Sequence, residues 1–129
     1  MSGRLLLDTN AVLAFLKGQP SMVALLEATG ADSLFASVIT RMELLSFHGI
    51  TPDEEKHIRE FLNAVSIIPL NTEVEDTAIQ LRRVTRRKMP DAVVAASAIV
   101  SKAVLVTYDL ELAGMVFPGL MTRHPENPA

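Results

Sequence analysis

Leu5-Leu6-Leu7-Asp8-Thr9-Asn10-Ala11-Val12 is the stretch from which the fold can be read. Three consecutive leucines form a short apolar run with no polar alternation. That is the pattern of a strand buried on both faces, as in a parallel sheet covered by helices on either side. Asp8 ends the run, and Asn10 is placed to cap a helix over residues 11–16.

Working outward, short strands and helices alternate down the chain. Strands are expected at 33–37, 65–68 and 103–106, with a short last one near 115–117. Helices are expected from Pro20 to about Ala28 and over 39–47. A third begins at Thr51-Pro52-Asp53-Glu54, where Thr caps, Pro fills the first turn and Glu closes a capping box. Thr72 and Glu75 spell a second capping box, opening a helix to about Arg87, and Pro90 starts one through Ser101. Strands alternating with helices and no hairpin dipeptides predict an α/β fold: a three-layer α/β/α sandwich around a mostly parallel sheet of about five strands. Ligands of such sheets bind beyond the carboxyl ends of the strands.

Composition sets the limits. A chain of 129 residues makes one domain, 1–129, with 124–129 as a short polar tail. It has no cysteine, which excludes disulfides, thiolate zinc sites and cysteine nucleophiles and fits a reducing compartment. Met1-Ser2-Gly3-Arg4 does not open a signal peptide, and the longest apolar stretch, 92–100, is far below the ~18 residues of a membrane span. A soluble cytoplasmic protein is expected. The net charge of −3 by itself argues against a nucleic-acid binder. No Gly-rich phosphate loop and no serine nucleophile elbow is present, and His48, His57 and His124 show no ligand spacing.

Four carboxylates remain. Asp8 follows the first strand directly and Asp109 lies three residues beyond Val106, so both belong at the carboxyl edge. Each also has an ordinary reading, since aspartate is a favoured cap and turn former. Glu43 forms a possible capping box with Thr40, yet it shares a helical stripe with Ile39 and Phe47, where a semi-buried acid needs a partner. Asp91 stands in the first turn of its helix, where the dipole favours an acid. Ala95 and Ala98, on the turns above it, are small enough to leave open space. Convergence of these acids would raise their pKa values unless a cation neutralised them. An all-oxygen donor set favours Mg²⁺ or Mn²⁺ over zinc, and such ions serve phosphodiester hydrolysis.

At these positions the chain resembles PIN-domain ribonucleases of the VapC-toxin type. Leu6-Leu7-Asp8-Thr9-Asn10-Ala11-Val12 is similar to the family's first block and Ser37-Val38-Ile39-Thr40-Arg41-Met42-Glu43-Leu44 to its second. Pro90-Asp91-Ala92-Val93-Val94-Ala95-Ala96-Ser97-Ala98 resembles the third, Leu105-Val106-Thr107-Tyr108-Asp109 the fourth, and Pro118-Gly119-Leu120 the closing segment. The resemblance implies that Asp8, Glu43, Asp91 and Asp109 bind Mg²⁺ or Mn²⁺, with Asn10 and Thr107 orienting the acids or water. It implies endoribonuclease activity by in-line attack leaving a 5′-phosphate, a neutralising antitoxin and a homodimer. The chain departs from the pattern at Tyr108, where many relatives have Arg, and at Glu111-Leu112-Ala113, where many have Asp-Phe. Glu111 therefore competes with Asp109 for the fourth place.

Arg82, Arg83, Arg86, Arg87 and Lys88 gather five of the 12 basic residues just before Pro90-Asp91. They can grip an RNA backbone. They also close a helix whose first turns hold Glu73, Glu75 and Asp76, which the helix dipole favours by itself. Two rival functions fit the same chain. A haloacid-dehalogenase-like phosphatase would want a second Asp where this chain has Asn10. A non-catalytic PIN-like scaffold, binding RNA or protein, should have lost at least one acid.

Overall fold

The computed structural model describes residues 3–126. Met1 and Ser2 of the expected N-terminal reading and residues 127–129 of the expected tail lie outside the described residues.

The element order is β1 (Leu5–Leu7), α1 (Thr9–Leu16), α2 (Pro20–Glu27), a 3-10 turn (Ala31–Ser33), β2 (Leu34–Ser37), α3 (Val38–Ser46), α4 (Pro52–Ala64), β3 (Ser66–Ile68), α5 (Thr72–Thr85), α6 (Met89–Ser101), β4 (Val104–Val106), α7 (Leu110–Ala113) and β5 (Met121–Arg123). The strands form one sheet in the order β3-β2-β1-β4-β5, and every pairing is parallel. All carboxyl ends therefore lie along one edge. The order reverses between β1 and β4, and that is where a doubly wound sheet opens a crevice.

The sheet is covered on both faces, as the leucine run requires. Leu6, Phe35, Leu105 and Ile68 face α5 and α6, packing with Val74, Ala78, Leu81 and Val93. Their neighbours Leu5, Leu7, Leu34, Ile67 and Val106 face the opposite layer, with Val12, Met22, Leu44, Ile58 and Leu62 from α1 to α4. Alternate residues of each strand thus feed two separate cores. Leu6 and Leu7 are fully buried, one in each. Among the described residues, no helix is long and apolar enough to cross a membrane.

Several local expectations are corrected. The last strand is Met121–Arg123, not 115–117; Met115 and Phe117 instead pack against the α5–α6 core from a loop. Gly119, with φ +85°, turns that loop back toward the sheet edge, a conformation that costs glycine least. Asn71 rather than Thr72 caps α5, its Oδ1 accepting from Val74 N at 2.9 Å, and the helix stops at Thr85. Ser37 caps α3, so Thr40 and Glu43 form no capping box. Asp8, not Asn10, caps α1. The Thr51–Glu54 capping box is present with both bonds. The expected polar tail is engaged at its start: His124 sets its ring edge-on to Tyr108 at 5.3 Å, and Ser21 Oγ donates to Glu126 Oε2.

Candidate active site

Asp8 leaves β1 at the middle of the sheet, and its two carboxylate oxygens do different things. Oδ1 accepts from Thr9 N at 2.9 Å and starts α1. Oδ2 turns across to β4, where it accepts from Thr107 Oγ1 at 2.8 Å and from Asn10 Nδ2 at 3.3 Å. Asp109 is divided in the same way. Its Oδ1 caps α7, accepting from Glu111 N and Leu112 N at 3.0 and 3.2 Å, while Oδ2 accepts from Arg87 Nη2 at 3.2 Å. The capping reading of both aspartates is therefore correct and incomplete. A cap uses one oxygen, and the second remains for other work.

Thr107 is fully buried and ties the two together. It donates to Asp8 and accepts from Asp109 N at 3.1 Å. Asn10 clamps the same corner, its Oδ1 accepting from Tyr108 N at 3.0 Å. Tyr108 does not project into the cluster; its ring packs on His124 and its hydroxyl lies 3.5 Å from Ser21 Oγ.

Glu43 is exposed rather than semi-buried. It is nevertheless held: Thr9 Oγ1 donates to Glu43 Oε1 at 2.5 Å and lies 3.3 Å from buried Thr40 Oγ1. Thr9 is a site residue that sequence reasoning missed. Its only signal was its place between Asp8 and Asn10.

Asp91 stands in the first turn of α6, whose N-cap position, Lys88, supplies no side-chain bond. Ala95 and Ala98 are fully buried, so they leave no open space over Asp91; their small size serves the packing of α6 against the sheet. Asp91 instead meets Arg87. Arg87 Nη2 donates to Asp91 Oδ2 at 2.7 Å and to Asp109 Oδ2 at 3.2 Å, and Nη1 lies 3.7 Å from Glu111 Oε1. Of the five clustered basic residues, Arg87 turns inward with 19% of its side chain exposed, while Arg82, Arg83, Arg86 and Lys88 remain on the surface. The i,i+4 spacing of Arg87 and Asp91 could have revealed this pair.

The electrostatics follow from the packing. Burial pushes the Asp8 carboxyl above its ordinary value; the bonds from Thr107 and Thr9 N pull it down, and repulsion from Asp91 and Glu43 pushes it up again. Asp8 thus feels Asp91 and Glu43 across the crevice. Desolvation works against the charge on Arg87, but its bond to Asp91 and the nearby Asp91 and Asp109 charges outweigh it and hold the guanidinium protonated.

A raised aspartate facing two more acids, with hydroxyl and amide groups behind it and no imidazole or thiol, is a donor chemistry suited to a hard divalent cation. In the arrangement described, Arg87 provides the positive charge on the Asp91–Asp109 side. No three His, Cys, Asp or Glu residues stand close enough to enclose a metal ion among the described residues.

Comparison with known proteins supplies the context. A sequence model of the PIN domain matches residues 5–117. No protein among curated sequences matches the chain. A solved toxin–antitoxin complex from Klebsiella pneumoniae contains a chain 26% identical, covering 94% of this chain and 97% of that one, with a TM-score of 0.80. VapBC2 from Rickettsia felis, bound to a DNA fragment from its promoter, is similar at 24% identity, 93% and 97% coverage and a TM-score of 0.79. DNA-bound VapBC from Salmonella typhimurium is similar at 20% identity, 95% and 98% coverage and a TM-score of 0.82. The last two likenesses concern the fold alone.

Proposed function

Because the chain belongs to the PIN domain family, we propose that it is a metal-dependent endoribonuclease and the toxin of a toxin–antitoxin pair. The observation that carries this reading is the convergence of Asp8 and Asp109 on the one buried hydroxyl of Thr107 at the switch point. Asp8 is pushed up by burial and by Asp91 and Glu43, a strain that a divalent cation relieves. On this reading Asp8, Glu43, Asp91 and Asp109 hold Mg²⁺ or Mn²⁺, with Glu111 as the alternative to Asp109. Such an ion supplies a more acidic water and charge neutralisation at a phosphoryl group.

The chain's own groups do the rest. Thr107 and Asn10 fix the direction of Asp8 Oδ2, and Thr9 fixes Glu43. Thr107 also holds the backbone of Asp109, so two acids on different elements share one positioning hydroxyl. Surface residues Arg82, Arg83, Arg86 and Lys88 hold RNA phosphates along the C-terminal end of α5. The partner is a cognate antitoxin, as in the similar complex from Klebsiella pneumoniae. The toxin is a cytoplasmic homodimer in which each chain is one PIN-like domain.

The test is purified protein incubated with RNA, with Mg²⁺ or Mn²⁺ or with chelator, and sequencing of the cleaved ends. New 5′-phosphate ends that require the metal and vanish in Asp8→Asn are the expected result. Equal cleavage by wild type and Asp8→Asn overturns the acidic site, and no cleavage under any metal overturns the reading in favour of a silent scaffold.

A further inference from the structure

Arg87 has no role in the site just proposed, yet it bridges two of its acids. Its Nη2 reaches two acids at once, and its Nη1 faces a third at a longer distance. Two of those acids, Asp91 and Asp109, are among the four assigned to the metal. A guanidinium and a divalent cation cannot both occupy the space between them.

Three features favour a displaceable ion over a structural bridge. Arg87 Nε is buried and finds no hydrogen-bond partner among the described residues, so the guanidinium is held by its Nη ends alone. Permanent buried arginines have their donors satisfied. Arg87 also lies in the connection between α5 and α6, outside both helices, so its side chain can swing without unwinding either. Arg86 before it is left-handed, with φ 60°, and this turn carries Arg87 back to face the acid four residues on. Finally, the pair is only partly buried, with 19% of Arg87, 26% of Asp91 and 37% of Asp109 exposed, so water reaches the guanidinium once it is released.

Resting on the metal-site reading above, we propose that Arg87 is the resident counter-ion of the site. It neutralises Asp91 and Asp109 while the metal is absent and gives up both when the metal binds. Metal and Arg87 then compete for the same oxygens. Removal of Arg87 strengthens metal binding and weakens the metal-free fold, because uncompensated acids are left in the crevice.

The experiment is calorimetric titration of Mn²⁺ into wild type, Arg87→Ala, Arg87→Lys and Asp8→Asn, with melting curves of each. Arg87→Ala should bind Mn²⁺ about tenfold or more tightly than wild type. Its metal-free Tm should be lower, and saturating Mn²⁺ should close the gap. Arg87→Lys should fall between them. Equal or weaker binding by Arg87→Ala overturns the proposal. If Arg87→Ala does not fold, Mg²⁺ titration of the wild type, followed through the Arg87 Nε–H resonance, decides it. That resonance moves with occupancy if Arg87 is displaced and stays still if it is a fixed bridge. Tighter Mn²⁺ binding by Arg87→Ala without any RNA cleavage leaves this inference standing and removes the nuclease reading. Cleavage with unchanged affinity does the reverse.

Discussion

Thr107 Oγ1, one residue beyond the end of β4, donates to Asp8 Oδ2 at 2.8 Å, and this bond joins the two halves of the acidic crevice. The same hydroxyl accepts from the backbone of Asp109, so its loss releases both acids together. Thr107→Val keeps the shape and removes the hydroxyl. It should destabilise the protein by about 1–3 kcal/mol, since it leaves buried polar groups unsatisfied. Mn²⁺ affinity or RNA cleavage should fall by about 10–100-fold. Urea melts and metal titrations check both. Wild-type stability and affinity together would show that the bond does nothing.

Asp8→Asn should separate activity from stability. The ionised carboxylate is disfavoured by burial and by two neighbouring acids. The amide keeps its size and removes the charge. RNA cleavage should disappear, while the metal-free Tm rises by roughly 2–5 °C. Circular dichroism melts without metal measure the second effect. A lower Tm in the variant contradicts the electrostatic account.

The pH dependence has a definite sign. Asp8 has a folded pKa above its ordinary 3.8, so its stabilising contribution is complete below pH 3.8 and is lost as pH rises through the folded value. The Tm difference between Asp8→Asn and wild type, both without metal, should therefore be smallest at pH 3.5 and widen as pH rises. Metal binding runs the other way and strengthens with pH, because the ligands must be deprotonated. Paired melts across the acid range, with and without Mn²⁺, would show whether the two slopes oppose each other.

The surface cations can be tested apart from the chemistry. In an Asp8→Asn background, which binds without cutting, replacement of Arg82, Arg83 and Arg86 by Ala should weaken RNA binding for every sequence. Each lost phosphate contact should flatten the log–log salt dependence by about 0.7. Fluorescence anisotropy from low to high salt gives the slope. An unchanged slope assigns these arginines to the helix dipole of α5 alone.

The fold was largely legible, because Leu5-Leu6-Leu7 and the apolar helix around Val93 can be satisfied only inside a covered sheet. The edge was not. Met121-Thr122-Arg123 pairs on one side and is half exposed, so it carries no apolar pattern, whereas the more apolar Met115 and Phe117 pack from a loop. Cap assignments slipped by a residue or more wherever two polar residues competed, as with Asn71 and Thr72. At the site, the residue types were readable but the partition of their oxygens was not. No spacing rule says that Asp8 and Asp109 each give one oxygen to a helix start and turn the other into the crevice, to Thr107 and to Arg87. The inward turn of Arg87 was hidden among four basic neighbours. Only its spacing to Asp91 set it apart.

The crevice joins residues from the two ends of the chain: Asp8 and Thr107 are 99 positions apart, and β1 pairs directly with β4. Synthesis proceeds from the N-terminus, so a ribosome that has made the first strands and helices still holds a chain with Asp8 but without its clamp. Long-range pairing of this kind is slow and comes late. A nascent or prematurely ended chain that stops short of β4 therefore carries no assembled site. The topology thus delays a toxin's danger to the cell that makes it until β4 has been made and has paired with β1.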